Sequence, residues 1–112
     1  MSKSTASADI FDRLYEIIET RRDADPKESY VAKLAQKGRL KIAQKLGEEA
    51  VETALAAVGE GHDEIVAEAG DLLFHLIMLL VDCGISLDEV RDELAAREGI
   101  SGLKEKASRG KS

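Results

Sequence analysis

"KLGEEAVETALAAVGEGHDEIVAEAGDLLFH", running from Lys45 to His75, decides how this chain folds. Ala, Leu and Glu dominate it, and these residues favour helix. The pattern breaks once, at "GEGH" (Gly59 to His62), where two glycines in three positions mark a turn. The spacing predicts one helix from about Leu40 to Val58 and another from about Asp63 to Cys83. Folded back about the turn, they make an antiparallel helix hairpin.

Outward from the hairpin the same reasoning predicts further helices. Ile10, Phe11, Leu14, Ile17 and Ile18 recur at helical spacing behind Asp9, an N-cap residue type. "DADPKES" breaks that helix at Pro26, and a shorter one starts near Ser29 and ends at Gly38. Gly84 stops the long helix, and "SLDE" (Ser86 to Glu89) reads as a capping box for a last helix, Leu87 to about Arg97. Residues 1–8 read as a disordered tail, residues 9–98 as one all-α domain, and residues 99–112 as a flexible basic tail. The expected fold class is all-α: four to five helices around a central hairpin.

Composition narrows the function. The chain has 112 residues, 44% hydrophobic and only 4% aromatic, so its core is aliphatic. A net charge of −6 argues against a general nucleic-acid binder. Cys83 is the single cysteine, which excludes an intramolecular disulfide and a cysteine-based zinc site. "MSKSTASA" has no apolar core for a secretory signal, and "LIMLLV" is too short to span a bilayer. The expected compartment is the cytoplasm, with no membrane partner.

The acids need an account. Glu49 and Glu52 share a face of one helix, and Glu68 and Asp71 share a face of the next. In an antiparallel hairpin centred on Glu60, Glu52 pairs in level with Glu68, Glu49 with Asp71, and Lys45 with His75. Two readings stand. Helical acids are mostly solvated faces. Yet "LLFHLIMLLV" after Asp71 is apolar on nearly every side, so its helix is central, and an acidic stripe on a central helix lines a cavity. Four converging carboxylates repel unless their pKa values rise or a cation neutralises them. All-oxygen ligands suit Mg²⁺ or Mn²⁺.

Other residues carry weaker signals. Lys41 and Lys45 lie on the Glu49/Glu52 stripe and either pair with neighbouring acids or reach phosphates. Arg39 and Arg97 are weaker phosphate candidates, better read as exposed. His75 reads as a hydrogen-bonded core histidine and Cys83 as a small buried hydrophobe.

"EEAVE" (Glu48 to Glu52) followed after fifteen residues by "EAGD" (Glu68 to Asp71) resembles the EExxE…ExxD signature of the MazG-like all-α nucleotide pyrophosphohydrolases. "SYVAKLAQKGRLKIAQKLGEEAVE" with "EAGDLLFHLIMLL" resembles, within them, the phosphoribosyl-ATP pyrophosphohydrolase family, over residues 9–98. Gly70 and Phe74 depart from that family's usual Ala and Tyr; Gly70 is expected to clear space beside Asp71.

The resemblance implies a homodimeric enzyme of histidine biosynthesis. It implies Mg²⁺-dependent hydrolysis of 1-(5-phosphoribosyl)-ATP to 1-(5-phosphoribosyl)-AMP and pyrophosphate. Glu49, Glu52, Glu68 and Asp71 are the implied metal ligands, Glu48 an adjacent catalytic carboxylate, and Lys41 and Lys45 the phosphate contacts. The next enzyme of the route, a cyclohydrolase, is expected on a separate protein. The alternatives are a house-cleaning nucleotide pyrophosphatase with the same metal site, and a helical dimerisation module whose acids are surface charge.

Overall fold

The computed structural model describes residues 9–99. The expected N-terminal tail, and the C-terminal tail beyond Gly99, lie outside the described residues. Five helices follow one another: α1 (Ile10–Arg21), α2 (Tyr30–Lys37), α3 (Arg39–Gly59), α4 (His62–Cys83) and α5 (Leu87–Ala96). The described residues form an all-α fold, as the sequence predicts.

The helix ends follow from local chemistry. The Asp9 carboxylate accepts from the Asp12 N–H at 3.0 Å, and the Ser29 hydroxyl accepts from the Ala32 N–H at 3.1 Å. Ser86 and Glu89 complete the capping box on α5. Gly84 adopts φ 72°, a left-handed conformation that closes α4. The next N–H, from Ile85, returns to the Leu80 carbonyl at 2.9 Å.

α3 and α4 form the hairpin, the most extensive packing in the structure; α1 lies against α4, and α2 against α3. The core is aliphatic: Ile18, Val31, Leu34, Ile42, Ile77, Met78 and Val81 are buried together. On α3 the buried positions are Ile42, Glu49 and Ala56, and on α4 they are His75, Ile77, Met78 and Val81. On α3 burial therefore runs from Ile42 to Ala56, while on α4 it concentrates at the end away from the turn.

Polar ties hold that end. Asp82 binds Arg39 Nε at 2.7 Å and Arg22 Nη2 at 3.3 Å. The same two guanidinium groups donate to the backbone carbonyls of Val81 and Asp82, satisfying the last turn of α4. Arg39 is thus a structural clamp, and its pKa is raised first by the bond to Asp82. Tyr15 donates to the Ile85 carbonyl at 2.8 Å and fixes the α4–α5 turn to α1.

The outer faces of the hairpin are left apolar. Val51, Leu55 and Val58 on α3, and Val66, Leu73 and Leu76 on α4, are all exposed. No single helix among the described residues is long and apolar enough to cross a membrane.

Candidate active site

Register across the hairpin is fixed beside the acids. Thr53 Oγ1 lies 2.8 Å from the Glu49 carbonyl on its own helix and 3.1 Å from the Glu68 carbonyl on the other. This hydroxyl pins α3 to α4 where the carboxylates meet. The oxygen atoms of Glu49, Glu68 and Asp71 come within 4.8 Å of one another. Glu49 is only 8% exposed, Glu68 is half-buried and Asp71 opens to solvent.

Glu49 Oε1 and Glu68 Oε1 are both shielded from solvent and accept no hydrogen bond from the described residues. A buried carboxylate oxygen without a donor is costly. The Glu68 pKa is raised, first by burial and then by the charges of Glu52, Glu49 and Asp71. Two orphaned oxygens and a third carboxylate at close range fit a hard divalent cation, which would satisfy both and cancel the repulsion. Glu49, Glu68 and Asp71 are placed to hold it, with Glu52 beside Glu68.

Glu52 and Glu48 stand differently. Glu52 lies outside the group of three, though near enough for its charge to raise the Glu68 pKa. Glu48 turns to the other side of α3, accepting from Gln44 at 2.8 Å and from Lys45 at 3.4 Å. These two donors, Gln44 first, lower its pKa and leave it a poorer proton acceptor. Lys45 does not reach across the hairpin; its bond to Glu48 raises its own pKa.

His75 is 6% exposed and fully engaged: Nδ1 is 2.8 Å from the Asp71 carbonyl and Nε2 is 2.9 Å from the Tyr30 hydroxyl. Rings of Tyr30, Phe74 and His75 pack together, with Phe74 and His75 edge to face. Gly70 does not relieve crowding within the chain, because a Cβ there would meet nothing within 4 Å. Arg97 binds Glu93 one turn earlier on α5 at 2.8 Å.

Beside the acids opens a cavity of about 250 Å³ lined by Lys33, Lys37, Lys41, Lys45, Tyr30 and Glu48, with Leu34 also on its wall. The motif reading does not include Lys33, Lys37 or Tyr30 among the site residues. The sequence signal for the lysines was a second i,i+4 pair one helix upstream of the first.

A helix hairpin with EExxE on one arm and ExxD on the other is the arrangement of the all-α nucleotide pyrophosphohydrolases. Comparison with known proteins resolves which of them. The family described as phosphoribosyl-ATP pyrophosphohydrolase matches residues 11–98. The chain is 54% identical to the phosphoribosyl-ATP pyrophosphatase of Paramagnetospirillum magneticum, covering 91% of this chain and 94% of that protein. It is 55% identical to the phosphoribosyl-ATP pyrophosphatase of Erythrobacter litoralis over 88% of this chain and 94% of that one. A third, from Azospirillum brasilense, is 47% identical over 97% and 98% of the two chains. The chain belongs to the phosphoribosyl-ATP pyrophosphohydrolase family.

Proposed function

We propose that this protein hydrolyses 1-(5-phosphoribosyl)-ATP to 1-(5-phosphoribosyl)-AMP and pyrophosphate, a step of histidine biosynthesis in the cytoplasm, through one catalytic domain spanning residues 9–98. The observation that carries the reading is the pair of orphaned buried oxygens on Glu49 and Glu68, beside Asp71, in a chain of this family.

Mg²⁺, or Mn²⁺ in its place, bound by Glu49, Glu68 and Asp71 would neutralise phosphate charge and lower the pKa of bound water. The chain's own residues supply positioning. Thr53 holds the two acid-bearing helices in register. Glu52 adds negative charge at the exposed edge of the group, where it draws a cation in. Lys41 and Lys45 hold phosphate oxygens on the opposite flank, and Glu48 keeps Lys45 pointed along the cavity wall. Cleaving a phosphoanhydride is mainly a matter of charge and alignment, and this surface provides both signs of charge side by side.

The working unit is a homodimer in which the exposed apolar faces of α3 and α4 are covered by a second copy. The deciding experiment measures pyrophosphate release from phosphoribosyl-ATP and from a panel of dNTPs, with Mg²⁺ and with EDTA. Metal-dependent release from phosphoribosyl-ATP is expected. Preference for dNTPs would assign the site to nucleotide house-cleaning, and no release from any nucleotide would leave a helical dimerisation module.

A further inference from the structure

α2 ends at Lys37 and α3 begins at Arg39, so Gly38 alone makes the elbow between them, at φ 97°. The elbow brings two lysine pairs onto one cavity: Lys33 and Lys37 from α2, Lys41 and Lys45 from α3. Of the four, Lys45 has an acidic partner, Glu48. Lys33, Lys37 and Lys41 form no ion pair with a described residue. Four ammonium groups against one carboxylate leave three net positive charges around the cavity, in a protein of net charge −6. Like charges spaced four apart on a helix destabilise it, and an anion in the cavity would reverse that cost.

This cavity is not the acid cluster, since none of Glu49, Glu68 and Asp71 lines it. Along α3, Lys41 lies eight residues before Glu49, about 12 Å, and Lys45 four residues, about 6 Å. Tyr30 forms the shared wall, lining the cavity while its hydroxyl contacts His75 on the acid-bearing helix. The substrate argued above has a matching shape: a triphosphate at one end and, beyond the base, a ribose carrying its own 5-phosphate. With the triphosphate at the acids and Lys41 and Lys45 on its flank, the second phosphate needs a further cationic seat, which Lys33 and Lys37 offer on the α2 side of the cavity.

We propose that the elbow cavity binds the 5-phosphate of the phosphoribosyl group, with Lys33 and Lys37 as the specificity-determining contacts. ATP and dNTPs have no phosphate to place there, so this cavity is what distinguishes the phosphoribosyl nucleotide from them. The assignment rests on the phosphoribosyl-ATP reading. Lys33 and Lys37 are exposed on α2, so the Lys33→Gln/Lys37→Gln double variant removes charge without opening the core.

The test compares wild type with that variant in three measurements. In Mg²⁺-supported phosphoribosyl-ATP hydrolysis, KM should rise about 100-fold or more while kcat stays within about threefold, as expected for two lost charge-assisted bonds to a non-reacting group. In inhibition, phosphoribosyl-AMP should bind wild type far more tightly than AMP, and the gap should close in the variant because only the phosphoribosyl-AMP constant changes. In calorimetry without metal, ribose 5-phosphate at millimolar concentration should bind wild type and not the variant. An unchanged KM overturns the assignment, as does an equal loss of AMP and phosphoribosyl-AMP binding. If wild type does not hydrolyse phosphoribosyl-ATP, the activity reading fails by itself, and the ribose 5-phosphate titration still decides the cavity: no binding to wild type overturns it.

Discussion

Tyr30 and His75, forty-five residues apart in the chain, meet with the hydroxyl 2.9 Å from Nε2. The other ring nitrogen, Nδ1, faces the Asp71 carbonyl, which only accepts, so Nδ1 carries the proton. In that tautomer Nε2 accepts from the Tyr30 hydroxyl. Burial raises the Tyr30 pKa, an effect Lys45 partly opposes, so the hydroxyl keeps its proton. Tyr30→Phe leaves a buried ring nitrogen without a donor. We expect a loss of about 1–2 kcal/mol, read as a lower urea midpoint with unchanged slope. A midpoint equal to wild type would show that the bond contributes nothing net.

Geometry ranks the carboxylates. Glu49, Glu68 and Asp71 come together and Glu52 stands outside them. Glu49→Gln, Glu68→Gln and Asp71→Asn should each cut turnover about 100-fold or more, and each should abolish the rise in melting temperature that Mg²⁺ gives wild type. Glu52→Gln should lose less and keep a Mg²⁺-dependent shift. Glu60→Gln, in the turn, should match wild type. EDTA should leave helix content unchanged, because the aliphatic core does not depend on the ion. A Glu52→Gln defect as deep as that of Asp71→Asn would place Glu52 among the ligands.

Acid should stabilise the metal-free protein at one residue in particular. Glu68 binds its proton more tightly folded than unfolded, through burial and the charges of Glu52, Glu49 and Asp71. Its cost is absent below the unfolded pKa and is fully felt above the raised folded value, so stability falls as pH rises through that window. In EDTA, Glu68→Gln should therefore melt above wild type at neutral pH, and the difference should shrink on acidification. Parallel curves for the two proteins across that range would contradict the assignment.

Assembly is tested at Leu55 and Val58, both exposed on α3. Light scattering on wild type at micromolar concentration should give twice the chain mass. Leu55→Glu/Val58→Glu should shift it to the monomer while keeping helical circular dichroism. A monomeric wild type would remove the homodimer from the proposal.

Much of this architecture is legible in the sequence because helix ends are written locally. Asp9, Ser29 and Ser86 each cap the helix they precede, and Gly84 ends α4 as its residue type predicts. The level of Glu49 with Asp71 follows from the turn at Gly59–Gly61, since an antiparallel pair has one register once its turn is placed. What the sequence does not disclose is direction across long separations. Gly38 is visible as a break, but not the angle by which it swings Lys33 and Lys37 over to Lys41. Nothing in the sequence marks Asp82, whose two arginines, one just past the end of α1 and one at the start of α3, are brought together only by the fold. Thr53 is hidden for a related reason: a threonine among alanines carries no sign that its hydroxyl spans two helices.

The uneven burial along the hairpin has a mechanical consequence. Beyond Ala56 no side chain of α3 is buried, and none of α4 before His75. The two helices are anchored where Asp82 grips Arg22 and Arg39, and α4 buries no side chain of its own from the turn to Phe74. The carboxylates sit between that anchor and the turn, beside the Thr53 hydroxyl that links the two helices. A second copy seated on the exposed Val58 and Val66 would therefore load the turn end, while the spacing an ion would depend on is set by the Thr53 link.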